Sequence, residues 1–513
     1  LSPGLRFLRG AVVVTLVSAA YAAALLALRP GYQASADSHY HFSVAREIAS
    51  GALVPDVAHG LPLTILRDMP VDHYWGYHVL LAAFAGGRDS ELGMKVATVV
   101  LFACVCLSMY AFLQARGVAH AWIWALLPML LSTQDWRFLQ LRGGQLIVPL
   151  VFAMAQVAFF EERPWVRRGG LLLVAYVAML SYHGGLVLLP FHLGGLCALA
   201  LLRPSDVREG RWWEPAITAL GLALGLLVNP YMDTRASTFR FAALHVGDMG
   251  RDTAHLYDDQ EIAEFHGFPV ELLGLHPEWL ILLMATVSIA AIVALRALKG
   301  GPGAPVRRDA IVLTGMSAAG IVLLAQAMRT REYAVPIAFS LMAVMAPREP
   351  SRLLAVVATP LLAALGWIHG QSTLLLLATH LPTHQYDGTR DLLVANGDRP
   401  ILNVAEADYC MLRWQYDRVV CVQGLSRYFI HPYPELFHDV WEIHDQADTS
   451  PETVAVLRRF WDRGVRLVAV HKTNRMMRFA ETHPTMLHPV FRSSVNGASI
   501  FALDRAGLDA ATP

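Results

Sequence analysis

Leu8-Arg9-Gly10-Ala11-Val12-Val13-Val14-Thr15-Leu16-Val17-Ser18-Ala19-Ala20-Tyr21-Ala22-Ala23-Ala24-Leu25-Leu26-Ala27-Leu28 is long enough to span a bilayer, and Asp37-Ser38-His39-Tyr40-His41-Phe42 follows shortly after it. The chain therefore leaves the membrane and presents a carboxylate, two imidazoles and a phenol at the lipid–water boundary. Ionisable groups are costly near lipid, so their placement there points to function. No small-residue cleavage site is obvious, and the apolar run reads as a retained helix rather than a leader.

The rest of the chain agrees with that opening. Of its 513 residues, 55% are hydrophobic and 16% charged, and the mean hydropathy is +0.42. A soluble protein of this length carries more charge. The formal net charge is zero, so no global field invites a nucleic-acid partner. Apolar stretches recur at 8–28, 92–113, 119–133, 144–160, 169–183, 185–202, 215–230, 277–297, 309–328, 333–347 and 352–371. These predict about eleven transmembrane helices. The stretch 169–202 is too long for one crossing, so Ser181-Tyr182-His183-Gly184-Gly185 is taken as a break.

Arginine placement supports that count. Alternating from a cytosolic N-terminus, the inner loops hold Arg6 and Arg9; Arg116; Arg163, Arg167 and Arg168; Arg203, Arg208 and Arg211; Arg296, Lys299, Arg307 and Arg308; and Arg348 and Arg352. Every inner loop is positive, as the positive-inside rule requires. The expectation is a multi-pass plasma (inner) membrane protein with its N-terminus in the cytosol. Its transmembrane domain covers 1–371, with outer loops 29–91, 134–143 and 231–276. Residues 329–332 fall on the same outer side. The first outer loop contains Val71 to Phe84, which reads as an interfacial amphipathic helix.

From about 372 onward the pattern changes. Ile401–Val404, Val419–Val422, Leu467–Val470 and Ser499–Leu503 read as short buried strands, and Pro451–Arg463 as a capped helix. Residues 372–513 are expected to form a small extracytoplasmic α/β domain. Cys104, Cys106 and Cys197 fall in apolar runs and read as core filler. Cys410 and Cys421 could form a disulfide outside the cytosol.

Candidate chemistry concentrates on the outer side. Asp37 is placed to act as a general base or to ligate a divalent ion. His39 joins it as a catalytic candidate and His41 as a substrate-binding one. If extended, Asp37, His39 and His41 would share a face suited to zinc. The plainer reading is that Asp37 caps a helix from Phe42 to Ile48, with solvated histidines. The second outer loop supplies Asp135 as a second acid, which could share a metal with Asp37. It also supplies Arg137 and Arg142, whose guanidinium groups suit bidentate phosphate binding. Arg329, Arg331 and Tyr333 form a third cluster, where two arginines suit an anionic substrate. The plainer reading is that these arginines pair with Glu332 or with lipid headgroups. His183 and Tyr182, at the break, could line the same cavity. Asp72, His73 and His78 are further candidates, and Tyr231-Met232-Asp233-Thr234-Arg235 a weaker one.

Asp37-Ser38-His39-Tyr40-His41-Phe42, followed by Ala45-Arg46-Glu47-Ile48, resembles the Asp-x-Tyr-Tyr-His-type run of oligosaccharyltransferase catalytic subunits. With the predicted topology, the chain resembles the GT-C superfamily of membrane glycosyltransferases. Gly424-Leu425-Ser426-Arg427-Tyr428-Phe429 resembles a stretch in the tails of other bacterial membrane proteins with this layout. The resemblance implies a catalytic acid at Asp37, a second acidic position at Asp135 and a divalent ion such as Mg or Mn. It implies transfer of a sugar from a polyprenyl phosphate or diphosphate donor to a glycan, lipid or protein acceptor at the outer face. Trp212-Trp213-Glu214 falls on the inner side, so peptide recognition through a Trp-Trp-Asp signature is not expected. The alternatives are a transporter of lipid-linked substrates or a non-catalytic membrane scaffold. A scaffold would leave Asp37 in solvent or paired with an arginine.

Overall fold

The structure, a computed structural model, describes residues 2–27, 36–56, 58–67, 70, 72–87, 90–130, 138–207, 211–231, 277–298, 307–326, 330–346, 384–424, 430, 433–447, 451–471, 474–495 and 497–511. In chain order come α1 (Pro3–Ala27), α2 (Ala36–Ala49), α3 (Trp75–Ala85), α4 (Ser90–Ala115), α5 (Ala121–Leu126), α6 (Gly144–Phe160), α7 (Pro164–Ser181), α8 (Leu188–Leu202), α9 (Glu214–Val228), α10 (Pro277–Leu298), α11 (Arg308–Gln326) and α12 (Arg331–Met345). There follow α13 (Arg390–Asn396), β1 (Ile401–Asn403), α14 (Glu406–Gln415), α15 (Pro434–Trp441), α16 (Pro451–Asp462), β2 (Leu467–Val470), α17 (Arg475–Thr482), β3 (Leu487–Arg492), β4 (Ser499–Leu503) and α18 (Arg505–Ala510).

Among the described residues, 4–27, 90–115 and 183–202 are helical stretches long and apolar enough to cross a membrane. The expected break holds. Tyr182 is extended, with φ −162° and ψ 131°, and a 3-10 turn from His183 to Val187 leads into α8. The stretch 119–133 behaves differently. It gives only the short α5 and a 3-10 turn at Leu127–Leu130 before the described residues stop. The eleventh stretch, 352–371, lies outside the described residues.

Small residues bring the helices together. Gly221 and Gly225 lie four apart on α9, where a Cβ would sit 2.5 Å from the carbonyl oxygens of Leu172 and Tyr176 on α7. Close backbone approach through small residues is how helices associate when lipid removes the hydrophobic drive. Of the cysteines expected as core filler, Cys106 is buried, while Cys104 on α4 and Cys197 on α8 are exposed. A position in an apolar run can face lipid as readily as protein.

The two ends of the bundle differ. At one end, Arg307 donates to the Arg116 carbonyl (2.7 Å), and Arg116 lies 3.6 Å above the Phe160 ring. There too Arg167 pairs with buried Glu214 (2.5 Å), beside the exposed Trp212 and Trp213. α6 runs from this end to Gly144 at the other, where α2, α3 and the Tyr182–His183 break gather.

The C-terminal part forms a four-stranded sheet of order β1-β2-β4-β3. β1 and β2 are parallel, and β4 pairs antiparallel with both β2 and β3. Three of the four expected strands are present. The expected strand at 419–422 shrinks to a single bridge between Cys421 and Ile401, because beyond it the Gln423 N–H goes to the Asn403 side chain (3.2 Å) instead of a backbone carbonyl of β1. β3 escapes sequence reading because it is a mostly exposed edge strand with Pro489 at a register shift. Cys410 and Cys421 are both buried and are not joined in a disulfide.

Candidate functional site

α2 decides the geometry. It begins at Ala36, not Phe42, so Asp37 lies in its first turn. A carboxylate is favoured at that position because the helix dipole is positive there. The extended zinc-type arrangement is thereby overturned. At 100° per residue, Asp37 and His41 share one face of the helix while His39 is turned away from both. His39 is buried, with its ring edge-on to Trp414 of α14 at 5.2 Å.

Asp37 and Arg142 link α2 to the segment that leads into α6. Arg142 Nη2 lies 2.7 Å from Asp37 Oδ2, with the arginine side chain 11% exposed and the aspartate 38%. Arg142 is therefore mostly sunk in protein while Asp37 remains reachable. The neighbouring backbone is fixed as well. Ser38 Oγ accepts from the Leu141 N–H (3.1 Å), and Gln145 Oε1 accepts from the Arg142 N–H (3.3 Å) and from Tyr77 (3.4 Å). Gln145 in turn donates to the Phe138 carbonyl at 2.6 Å. Gly143 and Gly144 permit close approach. A Cβ on Gly143 would meet the Tyr182 ring, and one on Gly144 the Glu332 carboxylate. Arg142 is thus seated between the break and the start of α12, where Glu332 and Tyr333 are buried and Arg331 is half-buried.

Behind Asp37 runs a buried polar chain. Asp72 Oδ1 accepts from the Tyr74 N–H (2.8 Å), and Asp72 Oδ2 lies 2.6 Å from His78 Nδ1. His78 Nε2 lies 2.8 Å from His41 Nδ1. All three side chains are buried. Tyr74 packs edge-on to His41 (4.5 Å) and stacks on Tyr182 (4.7 Å, 7°). His73 and His183 meet through their Nδ1 atoms at 2.8 Å. α3 starts at Trp75, leaving Asp72, His73 and Tyr74 in a turn that can reach these partners. Burial, and then the Asp72 charge, push the Tyr40 phenol well above its ordinary value.

The outer segments therefore bring together Asp37, His41, Arg142, His183 and Tyr333, with His39 on the opposite face of α2. Asp135, Arg137 and Arg329 lie outside the described residues, as do Asp233 and 425–429. Among the described residues, no three His, Cys, Asp or Glu side chains are grouped as metal ligands. Asp37 is paired with Arg142, and Asp135, the second acid expected to share a metal with it, lies outside the described residues. Sequence reading undervalued the Asp72–His78–His41 chain, because its three members come from two elements. It named Glu332 only as a partner for the nearby arginines, and it missed the role of Gln145 and the whole contact with α14.

That contact ties the sheet region to α2. Arg413, buried on α14, pairs with Glu47 of α2, donates to Tyr409 (2.6 Å) and sits 5.7 Å from the Tyr40 ring. Arg46 pairs with Asp417 (2.6 Å) and lies over Trp414 at 4.7 Å.

No protein-family model matches the chain, and no curated protein sequence matches it. Solved structures do share its fold. One is the crystal structure of the Archaeoglobus fulgidus oligosaccharyltransferase in its apo form, with TM-score 0.55 and 11% identity over 90% of this chain and 69% of that one. Another is apo ArnT from Cupriavidus metallidurans, with TM-score 0.55 and 13% identity over 98% of each chain. ArnT bound to undecaprenyl phosphate gives TM-score 0.55 and 13% identity over 99% of each. The chain is a polytopic helical membrane protein with the GT-C fold, as the resemblance in its first outer loop implied. Both of these proteins are glycosyltransferases of that fold.

Proposed function

We propose that the protein transfers a sugar from a polyprenyl phosphate or diphosphate donor to a glycan, lipid or protein acceptor at the extracytoplasmic face. The observation that carries this reading is the Asp37–Arg142 pair, a reachable carboxylate held by a sunken guanidinium where two outer segments of a GT-C fold meet. Asp37 keeps its solvent side while Arg142 is sunk, so a donor phosphate, a stronger partner for a guanidinium, can take the place of Asp37 on Arg142. The exchange frees the base and places the guanidinium on the leaving group. The acceptor oxygen then attacks the anomeric carbon as the carbon–oxygen bond to phosphate breaks. The phosphate departs with the bonding electrons beside Arg142, and the acceptor proton passes to Asp37. No step passes through a metal. An apolar groove of about 680 Å³ between α8, α10 and α11, lined by Leu193, Gly194, Cys197, Gly315 and Val322, suits the isoprenoid tail.

A permanent Asp37–Arg142 pair is also what a scaffold would show, and activity separates the two readings. Purified protein is incubated with radiolabelled polyprenyl-phosphate sugars. Wild type should transfer label, Asp37→Asn should lose about 100-fold or more in kcat, and Arg142→Gln a similar factor. Equal transfer by folded Asp37→Asn would remove Asp37 from the mechanism. Transfer from no donor by wild type would favour the scaffold or transport readings.

A further inference from the structure

Arg116 differs from other arginines at its end of the bundle. Arg167 is paired with Glu214 and Arg203 with Asp206, so each has its own counter-charge. Arg116 pairs with no carboxylate among the described residues. Its Nη2 donates to Gln156, its guanidinium lies 3.6 Å above the Phe160 ring, and its Nε is buried with no hydrogen-bond partner. The carboxylate that acts on it, Asp309, is already engaged. Asp309 accepts from Arg307 at both oxygens (3.0 and 2.5 Å), and Oδ1 accepts from the Ala310 N–H as well (2.9 Å). Burial lowers the Arg116 pKa, the Asp309 charge opposes that, and Arg307 and Arg308 add to the lowering. Three guanidinium groups thus share one carboxylate, and a half-buried charge without a partner is costly.

The cluster lies at headgroup depth. α4 has 26 residues. At 1.5 Å per residue it is about 39 Å long, more than the roughly 30 Å of a bilayer's hydrocarbon core. Arg116 is the residue after it ends. Arg307, just before α11, bonds to the Arg116 carbonyl (2.7 Å). Trp122 and Trp165 are exposed at the same end, and such side chains mark the membrane–water boundary.

We propose that Arg116, with Arg307 and Arg308 beside it, binds the phosphate of an anionic phospholipid, at the end of the bundle opposite Asp37 and Arg142. A guanidinium meets a phosphate edge-on through paired N–H groups, and Phe160 under Arg116 holds that edge in place. The phosphate supplies the missing counter-charge and ties the end of α4 to the start of α11. A zwitterionic lipid offers the same phosphate but brings its ammonium group toward Arg307 and Arg308, so lipids of net negative charge are selected. The site is independent of the sugar-transfer reading.

The test follows the thermal unfolding midpoint of full-length, delipidated protein in detergent as phosphatidylglycerol is titrated in, against phosphatidylcholine and inorganic phosphate. Phosphatidylglycerol should raise the wild-type midpoint saturably, at concentrations where the other two have little effect. Arg116→Gln should weaken that binding about 10- to 100-fold, the range for charge-assisted hydrogen bonds. Arg116→Lys keeps the charge without the planar edge and should also weaken it, which preserves the comparison if the glutamine variant does not fold. Arg168→Gln removes an exposed arginine at the same end and should bind as wild type does. No shift with phosphatidylglycerol, or an equal one with phosphatidylcholine, overturns the proposal whether or not any variant folds. A response to inorganic phosphate as large as that to phosphatidylglycerol makes this a seat for a soluble anion and overturns it too. So does a folded Arg116 variant that binds like wild type, or an Arg168→Gln that loses as much, because the lipid would then be sensing overall charge.

Discussion

His39 and His41 are two residues apart, and the helix sends them to different partners: Trp414 for one, His78 for the other. The run Asp-x-His-x-His showed which residue types were available, but their roles depended on helical rather than extended backbone. Asp37 was legible because its position after an apolar run has meaning without tertiary structure. Arg142 was legible as an anion-binding group, but its seat beside Asp37 depends on Gly143 and Gly144. A second residue-scale case was invisible in sequence. His471, just after β2, lies 2.6 Å from buried Asp408, whose Oδ1 also accepts from Tyr386 (2.7 Å). Burial alone would lower the His471 pKa, but the Asp408 charge and the hydrogen bond outweigh it and raise it above 6.5. A raised imidazole adds stability that is fully present below its unfolded pKa, near 6.5, and is lost as pH rises through the folded value. The unfolding midpoint of wild type should therefore fall relative to His471→Gln as pH is raised from 6 through 8. A constant difference between them across this range would show that the pair is not linked to folding.

At the scale of elements, the contact between α2 and α14 joins the helix bearing Asp37 to the sheet region. Arg413 is sunk between Glu47, Tyr409 and Tyr40, so deleting Glu47 strands a buried charge. Glu47→Ala should cost about 3–5 kcal/mol, measured by denaturant or thermal unfolding in detergent. The double variant Glu47→Leu/Arg413→Met should be less damaged than Glu47→Ala, because it removes both charges. If the double variant is the worse of the two, the pair itself is stabilising. The α7–α9 contact makes a different demand. Gly225→Leu would force a side chain into the Tyr176 carbonyl and Met179, and overpacking of this kind costs about 1–3 kcal/mol. A variant with an unchanged unfolding midpoint would mean that α9 can move away from α7 freely. Helix positions were readable because apolar length is a property of each segment. These contacts were not, since glycine spacing and a lone Glu or Arg acquire meaning only against a partner.

For the whole molecule, the two ends of the bundle carry the strongest directional signal. Arg116, Arg167 and Arg307 share one end, while Asp37, His41 and Arg142 share the other. The sheet region packs on α2 through Arg413 and Arg46, so it lies at the Asp37 end. The alternation of arginine-rich loops had already implied this, because an odd number of crossings returns the tail to the side of the first outer loop. We propose, from the positive-inside rule, that the arginine end lies in the cytosol and the sheet outside. Trp165 is 75% exposed at the start of α7, at the arginine end, and Val490 is 45% exposed on β3. In intact cells, a membrane-impermeant maleimide should label Val490→Cys and should reach Trp165→Cys only after permeabilisation. The native Cys410 and Cys421 are buried, and Cys104 and Cys197 sit on helices of the bundle, so the unsubstituted protein supplies the background. The opposite labelling pattern would put Asp37 and Arg142 in the cytosol and overturn transfer at the outer face. Equal labelling of both positions in intact cells would mean that the arginine end is not sealed from the outside, and the topology itself would fall.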